Sequence, residues 1–321
     1  MIRIAALLVP LLLLCAAAPG MAQPYPSKPV RLVVGFVPGG GTDIMARAVA
    51  AKLSEMANIQ TVVENRPGAN ANLAAELVAR APADGYTVLM MSTSHAISKP
   101  LYKTLKYDVE KDLVPVAFVS SGAMAVVVHP AVPASSLNEL IALARGKPGE
   151  LTYGSAGSGS PEHMAAELVL SMAKARMVHV PYKGGAASVT DLMGGQIQVG
   201  FNTMPVAAPH IRAGKIKLLA VTEERRSPAF PDTPTVAEAA LPGYAMPVWY
   251  GLMAPAGTPR EAIALLNKEI ERVLKEPDIR ERFTTLGVAP TGGSPEAFGA
   301  FIQKEVAKFT KLVADTGMKV E

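Results

Sequence analysis

The sequence predicts an α/β fold of two lobes, because strand and helix patterns alternate along it and two similar glycine-rich turns lie far apart. The first turn covers residues 33–43 and the second covers residues 151–161, and each stands between an apolar strand and a helix start. A helix start presents unpaired N–H groups and a partial positive charge, which suit an anion, and glycine lets a ligand approach the backbone closely. The pair of turns therefore predicts two lobes that hold one anionic ligand between them.

The elements of the first lobe follow from apolar periodicity. Strands are predicted over residues 30–36, 61–63 and 86–91, and helices over residues 43–56 and 73–81. The first of these helices has its apolar residues on one face, and the second ends before a proline. This alternation of strand and helix favours a mostly parallel sheet.

The second lobe repeats the same alternation and is followed by a return to apolar strand and helix patterns. Pro161 occupies the favoured first position of a helix, with Ser160 before it as the N-cap. The other predicted elements are strands over 116–119, 125–128, 177–180, 197–201, 217–221 and 248–254, helices over 137–144, 259–275 and 295–314, and a proline-rich loop over 229–243.

The first 22 residues have the pattern of a secretory signal. Arg3 gives a basic start, residues 5–14 an apolar core and residues 20–22 a small-residue cleavage site. A membrane anchor is the alternative, but the apolar run is short for a bilayer and contains Pro10. A lipid anchor at Cys15 is disfavoured by the large leucines before it. We therefore predict cleavage of this segment and a periplasmic location.

Composition excludes several function classes. Cys15 is the only cysteine, so a chain cleaved after residue 22 has no disulfide, no thiol nucleophile and no cysteine-ligated metal. The net charge of +4 is scattered and aromatic residues make up only 5%, which does not suit nucleic-acid binding. The five histidines lack the paired spacing of metal ligands, so we expect no metal site.

Candidate ligand-binding residues lie in the two glycine-rich turns and at the carboxyl ends of strands, where open α/β sheets bind ligands. Asp43 would repel an anion directly, so we interpret it as a helix cap or a brace of its loop. The candidates are Phe36, Pro38, Gly39, Gly40, Gly41, Thr42, Asp43, Ser92, Thr93, Ser94, His95, Ser155, Ala156, Gly157, Ser158, Gly159, Ser160, His163, Tyr182, Lys183, Asn202 and Thr203.

Six segments in this order carry a family resemblance. They are PGGGTD at 38–43, ENRPGA at 64–69, YGSAGSGSPEH at 153–163, HVPYKG at 179–184, PHIRAG at 209–214 and GLMAPAGTP at 251–259. With them the chain resembles the Bug (TctC-like) extracytoplasmic solute receptors of tripartite tricarboxylate transporters, over essentially all of the sequence after the signal.

The resemblance implies a type II periplasmic-binding-protein fold, with two α/β domains joined by two crossover strands around a ligand cleft. It implies a small organic carboxylate as ligand, held partly through ordered water, and the membrane permease subunits of such a transporter as partners. It implies no cofactor and no catalysis, and we expect a monomer. The domains that follow are a signal at 1–22, a first domain at 23–123 and 248–321, and a second domain at 124–247.

Two segments depart from the family pattern. The run after the RPGA motif is usually glycine-rich, whereas here it is Asn70-Ala71-Asn72. The family often has Asp-Asn where this chain has Asn202-Thr203. An acidic residue there would suit a ligand ammonium group, so its absence disfavours an amino acid as ligand.

Two other functions stay open at this point. A ligand-loaded sensor subunit would have the same sequence features as a transport receptor. A secreted hydrolase with a serine of the second turn as nucleophile is less favoured, because no serine lies in a G-x-S-x-G motif. Neither turn has the dinucleotide G-x-G-x-x-G pattern or a Walker lysine.

Overall fold

Two β-sheets form the framework of the computed structural model, which describes residues 25–316. The strands are β1 (Val30–Val34), β2 (Thr61–Asn65), β3 (Thr87–Ser92), β4 (Leu113–Gly122), β5 (Met124–Val128), β6 (Thr152–Ser155), β7 (Val178–Pro181), β8 (Val199–Thr203), β9 (Lys217–Val221), β10 (Val248–Pro255) and β11 (Val288–Pro290). The helices are α1 (Gly41–Ala57), α2 (Asn72–Ala79), α3 (Thr93–Leu101), α4 (Leu137–Gly146), α5 (Pro161–Ala173), α6 (Gly185–Met193), α7 (Met204–Arg212), α8 (Val236–Ala239), α9 (Arg260–Val273), α10 (Pro277–Thr285) and α11 (Pro295–Thr316).

The two sheets repeat one topology. The first has the order β11-β4-β10-β3-β1-β2 and the second has the order β7-β6-β8-β5-β9. Strands β1, β2 and β3 pair in parallel, as do β6, β7 and β8, while β10 and β5 enter their sheets antiparallel. Each lobe is therefore a mostly parallel unit, as the alternation of elements predicts. Strand β5 is antiparallel in the second sheet, and β10 and the edge strand β11 are antiparallel in the first.

The chain crosses between the lobes twice. At the first crossing β4 ends at Gly122 and β5 begins at Met124, so Ala123 alone separates a strand of the first sheet from a strand of the second. The chain returns after β9 through residues 222–247 and enters the first sheet as β10. Residues 250–253 then pair with β3 on one side, and residues 248–255 pair with β4 on the other. The last helices therefore pack on the first lobe.

An aromatic cluster joins α11 to the centre of the first sheet. Trp249 on β10 meets Phe301 edge to face at 5.4 Å between ring centroids, and Phe118 on β4 stacks on Phe298 at 4.9 Å. The Trp249 indole N–H donates to the buried Glu305 carboxylate at 2.9 Å. These contacts fix the long C-terminal helix on the sheet. None of the helices described between residues 25 and 316 has the length and apolar composition needed to cross a bilayer.

The structure differs from the sequence prediction in four short elements. The residues after β3 form α3, with His95 in its first turn, rather than a loop at the strand end. Three helices follow β10 instead of two, because Pro277 begins α10, which buries only Ile279 and Phe283 and so has weak periodicity. The proline-rich loop contains the short α8, capped by Thr235 and Glu238 in an S/T-x-x-E pattern. Helix α7 is not predicted from the sequence either, because it contains Pro205 and Pro209.

Gly251 is expected to be intolerant of a side chain. A Cβ there would lie 2.2 Å from the Phe298 ring and 2.8 Å from the Ala117 carbonyl oxygen. Because the surrounding core is close-packed, Gly251→Ala should lower the free energy of unfolding by about 1–3 kcal/mol. Urea unfolding followed by circular dichroism measures this. Gly146→Ala, where a Cβ meets nothing within 4 Å, is the control, and equal stability of the two variants would contradict the prediction.

Candidate ligand-binding cleft

A cavity between the two lobes, here called the inner cavity, measures about 330 Å³ with its opening to solvent included. Residues of both sheets contribute to it, together with the helices that follow them. Its lining residues are Phe36, Gly40, Gly41, Thr42, Ser92, Ser94, Ala156, Pro161, Glu162, Gly185, Thr203, Val248 and Tyr250.

Five helix starts converge on the inner cavity. They are the starts of α1 at Gly41, α3 beside Ser94, α5 at Pro161, α6 at Gly185 and α7 behind its N-cap Thr203. Each start contributes a partial positive charge that stabilises a nearby anion by about 0.3–1 kcal/mol, and by more when buried. The lining contains no Lys, Arg or His, so positive potential here comes from the backbone.

Three buried hydroxyls in this cavity have no hydrogen-bond partner of ordinary geometry within the described part of the chain. They belong to Ser94, Thr203 and Tyr250, whose residues are almost fully buried, and Thr203 lies near enough to Tyr250 to oppose the rise in its pKa. A fourth hydroxyl, that of Ser92, caps α3. A Cβ on Gly41 would lie 2.6 Å from both the Thr203 and the Tyr250 hydroxyl oxygen, so the backbone of α1 approaches them closely. Because an unsatisfied buried polar group costs about 1–3 kcal/mol, three of them together indicate a site built for a polar occupant.

Glu162 is the one acidic residue among those that line the inner cavity. Its exposed fraction is 4%. Burial raises the pKa of its carboxyl to about 7, against the opposing effect of hydrogen bonds from its own backbone and from Ser160. Burial also raises the pKa of Tyr250, and the nearby Glu162 charge adds to the effect.

A second space, here called the outer cavity, adjoins the first through Phe36 and Ala156, which line both. It is open to solvent on one side and measures about 1010 Å³ with that open space included. Its other lining residues are Gly35, Val37, Pro67, Gly68, Ala69, Asn70, Ala71, Tyr102, Gly157, Ser158, Tyr182 and Lys183. The two cavities together form one cleft that is polar inside and partly aromatic toward its mouth.

The lobes touch across the mouth of the cleft. Asn70 Nδ2 donates to the Gly159 carbonyl oxygen at 2.7 Å, and the Tyr102 hydroxyl donates to the Ser158 carbonyl oxygen at 3.4 Å. Asn70 lies in a left-handed run, with φ of 47° at Ala69, 53° at Asn70 and 72° at Ala71. Asparagine tolerates this backbone, but the alanines are strained in it. The two lobes are therefore in contact at the mouth of the cleft, through a turn whose alanines are strained.

A histidine pair braces the second glycine-rich turn from behind. The rings of His163 and His179 are parallel within 6°, with their centroids 4.0 Å apart. His163 Nδ1 accepts from the Gly159 N–H at 3.1 Å, and His179 Nε2 shares a hydrogen bond of 2.7 Å with Ser155 Oγ. Burial lowers the pKa of both histidines to about 4, and His163 lowers that of His179 further. Both rings are therefore neutral at physiological pH.

The Ser155–His179 contact bears on the hydrolase alternative. Ser155 Oγ also accepts from the Gly157 N–H at 3.1 Å, so the hydroxyl is engaged inside its own turn. Ser155 and His179 line neither the inner nor the outer cavity. This geometry supports a bracing role for the serine rather than a role as a nucleophile facing the cleft.

Asp43 is held inside the first turn. Its carboxylate accepts from the Gly39 N–H at 2.9 Å, from Arg47 at 2.9 Å and from Asn65 at 2.8 Å. Burial raises the pKa of this carboxyl, but the hydrogen bonds from Arg47, Gly39 and Asn65 outweigh it and hold the pKa below its ordinary value. Asp43 thus shapes the turn that presents Gly40 and Gly41 to the cavity.

The cleft brings together twelve of the residues proposed from sequence. Those that line it are Phe36, Gly40, Gly41, Thr42, Ser92, Ser94, Ala156, Gly157, Ser158, Tyr182, Lys183 and Thr203. The others line neither cavity, and they are Pro38, Gly39, Asp43, Thr93, His95, Ser155, Gly159, Ser160, His163 and Asn202. Several of these have clear bracing contacts, such as Thr93 Oγ1, which accepts from the Trp249 N–H at 2.9 Å.

Sequence reasoning missed four polar side chains that line the cleft. Glu162 and Tyr250 escaped because an acid in the first turn of a helix and an aromatic residue in a buried strand are common structural features. Asn70 lies in a turn and Tyr102 at the end of α3, and only the packing of the two lobes brings them to the mouth of the cleft. The one available indication was the departure of residues 70–72 from a glycine-rich run.

Comparisons with known proteins agree on one type of molecule. The model of the family described as tripartite tricarboxylate transporter family receptor, TctC, matches residues 45–318. BugT of Bordetella pertussis is 36% identical over 307 residues, which cover 95% of this chain and 94% of BugT. Rpa4515 of R. palustris, solved with adipate, has a TM-score of 0.89 at 36% identity, covering 92% of this chain and 99% of that one. MatC of Rhodopseudomonas palustris, solved with bound malate, has a TM-score of 0.85 at 31% identity, covering 90% and 100%. The predicted fold is thereby confirmed.

Acid is expected to destabilise the fold through the histidine pair. The folded-state pKa of about 4 lies below the ordinary value of 6.5, so the unfolded chain binds more protons between these values. The stability that the neutral rings contribute is therefore fully present above pH 6.5 and is lost as the pH falls toward 4. Melting temperatures of wild type and of His163→Gln/His179→Gln, measured from pH 7 to pH 4, test this. The variant should show the shallower decline, and identical pH profiles would contradict it.

Proposed function

Because this chain belongs to the tripartite tricarboxylate transporter receptor family, as its six sequence segments predicted, we propose that it captures a small organic carboxylate between its lobes. The observation that carries this proposal is the inner cavity, where five helix starts and three unpartnered hydroxyls surround a buried space without a cation. Backbone N–H groups and hydroxyls donate to a carboxylate without being titrated themselves, and hydrogen bonds to a charged acceptor are the stronger ones. This arrangement suits a reversible receptor rather than a catalyst.

The ligand's carboxylate head takes the inner cavity, and the rest of the molecule extends into the outer cavity. Phe36, Tyr102 and Tyr182 offer ring faces and edges there, and Lys183 places a cation at the same wall. Direct contacts are made by the residues that line the cleft. Asp43, Ser155, Ser160 and His163 act one step behind, by holding the two turns in shape. Relatives solved with adipate and with malate support a carboxylate as the class of ligand.

The receptor works outside the cytoplasm and delivers its ligand to the membrane permease subunits of a tripartite tricarboxylate transporter. It acts as a monomer whose moving bodies are residues 23–123 with 248–321 and residues 124–247. The family supports the location and the permease partners. The two sheets with their cross-cleft contacts support the division into two moving bodies. A sensor subunit would use the same site, so deletion of the gene followed by measurement of carboxylate uptake and of signalling separates the two functions.

A specific carboxylate should raise the melting temperature of protein that has first been stripped of copurified ligand by unfolding and refolding. The rise follows mass action, about 2.7 kcal/mol of stabilisation at a hundredfold excess over Kd. Differential scanning fluorimetry against acetate, hexanoate, malate, adipate and citrate measures it. Thr203→Val should weaken the binding of the stabilising compound about tenfold, because it removes one hydroxyl donor to a charged group.

The matched control for this experiment is Thr190→Val, since Thr190 lies in the same lobe on the exposed face of α6 and bonds only the Ala186 carbonyl oxygen. Its affinity should equal that of wild type. Absence of stabilisation by every carboxylate, in protein that refolds fully, would contradict the receptor proposal. Equal binding by Thr203→Val and wild type would show that the ligand does not bind in the inner cavity.

Asn70 is expected to hold the closed form. Asn70→Ala removes the cross-cleft hydrogen bond to Gly159 and leaves that carbonyl oxygen at the mouth of the cleft. We expect a Kd about three- to tenfold higher, mainly through faster dissociation, because one net hydrogen bond contributes about 1 kcal/mol. Stopped-flow fluorescence with the carboxylate found above measures the rates.

Asn138→Ala provides the comparison for this effect. Asn138 Nδ2 also donates to a carbonyl oxygen at 2.7 Å, that of Ala239, but on the outer surface of the second lobe. An unchanged dissociation rate in Asn70→Ala, or an equal change in Asn138→Ala, would show that the contact at the mouth does not hold the lobes together.

A further inference from the structure

Glu162 is an acidic residue inside a cleft that is proposed to bind an anion, and like charges repel. It lines the cavity proposed for an anion, it is almost fully buried, and its carboxyl faces Gly185 at the start of α6. Asp43 on the opposite lobe is buried as well, but it is paired with Arg47 and turned into its own loop. Glu162 has no such cationic partner among residues 25–316. Its presence therefore needs a role of its own.

The groups that surround Glu162 are neutral near physiological pH. They include the buried His95 of α3, which packs on α5, because burial lowers the pKa of this histidine to about 4. Its own helix supplies Ser160, and β10 supplies the Tyr250 hydroxyl. The starts of α1, α6 and α7 supply Gly41, Gly185 and Thr203 to the same cavity. The titratable His163 beside it in sequence is engaged with the Gly159 N–H, and Lys183 lines only the outer cavity. No charge near Glu162 therefore compensates a second anion.

Two neighbouring carboxylates disfavour each other's ionised form in a small buried cavity. Like charges at such a distance repel strongly where the effective dielectric constant is low, and the usual outcome is that the pair shares one proton. A neutral carboxylic acid has an O–H group, which can donate to a carboxylate oxygen in a short, charge-assisted hydrogen bond. Protonation thus turns Glu162 from a repelling group into a donor.

We infer that the receptor binds its carboxylate together with one proton, which Glu162 carries and donates to an oxygen of the ligand head. This inference rests on the proposed function. Glu162 takes the proton from solvent, forms an O–H bond with it and keeps that bond, so no bond within the ligand is made or broken. After the ligand leaves, Glu162 ionises in the open cleft at a pH above its pKa, and the proton returns to solvent.

The electrostatics of the ligand-free site agree with this coupling. Because burial raises the pKa of Glu162 to about 7, the group is close to half protonated near neutral pH and accepts a proton at little cost. Below that value the site is already protonated, and binding takes up little more. Above it, the uptake approaches one proton per ligand, and Kd rises by up to about tenfold for each further pH unit.

Calorimetric titration with adipate and with malate tests the coupling. Each titration is done in two buffers of different ionisation enthalpy, Mes and imidazole at pH 6 and EPPS and Tris at pH 8.5, so that the difference in observed heat reports the number of protons exchanged. Wild type should take up close to one proton at pH 8.5 and far less at pH 6, with a Kd at least tenfold higher at pH 8.5. Binding without proton uptake and with equal Kd at both pH values would overturn the inference while leaving the receptor proposal intact.

Glu162→Gln identifies the carrier of the proton. Its amide donates without titrating, so the variant should take up no proton and should have similar Kd at both pH values. Glu150→Gln, an exposed position of the second lobe, should behave as wild type. If Glu162 instead pairs with a ligand ammonium group, Glu162→Gln abolishes binding at both pH values and the inference is overturned. If neither wild type nor variant binds any carboxylate, the proposed function fails and the inference falls with it.

Stability without ligand gives a second measurement. A carboxyl whose folded-state pKa is raised contributes stability that is fully present below its ordinary pKa and is lost as the pH rises through about 7. Glu162→Gln should therefore melt close to wild type at pH 5 and above wild type at pH 8.5. The opposite order at pH 8.5 would show that an ionised Glu162 is stabilised by its surroundings and would overturn the inference.

Discussion

The cleft depends on one constraint, namely that several helices of both lobes begin at the same buried point. Strands β1, β3, β6 and β8 each end next to this point, and the helix that follows each strand starts there. Parallel pairing places the carboxyl ends of neighbouring strands on one edge of each sheet, and the two edges face each other. The resulting positive potential is part of the backbone and cannot be removed by titration.

A backbone-built site also restricts the side chains around it. Gly41 leaves no room for a Cβ, since Thr203 approaches it from the other lobe and Tyr250 from the sheet of its own lobe. The turns that present the N–H groups need support from behind, which Asp43 gives to the first and the histidine pair gives to the second. Neighbouring residues of the two turns therefore have different roles. Some line the cleft, and others hold the turns in shape from behind.

Much of this architecture is predictable from the sequence. Glycine turns between strand and helix patterns predict both anion-binding loops, and the strand ends predict Ser94 and Thr203 in the cleft. The histidine pair is not predictable, because it depends on the parallel register that brings β7 beside β6. Glu162 and Tyr250 are hidden for another reason: each residue type is common at its position, and only the cavity distinguishes their roles.

The first crossing between the lobes has a mechanical consequence. Since only Ala123 separates β4 from β5, the two lobes are closely connected at this residue. Such a short connection allows rotation of one lobe relative to the other but almost no translation. In the receptor proposed above, a small rotation about this connection would become a wide displacement at Asn70 and Gly159, which lie far from it along the chain. The connection would then fix the axis of the rotation, and the contacts of Asn70 and Tyr102 would limit its extent.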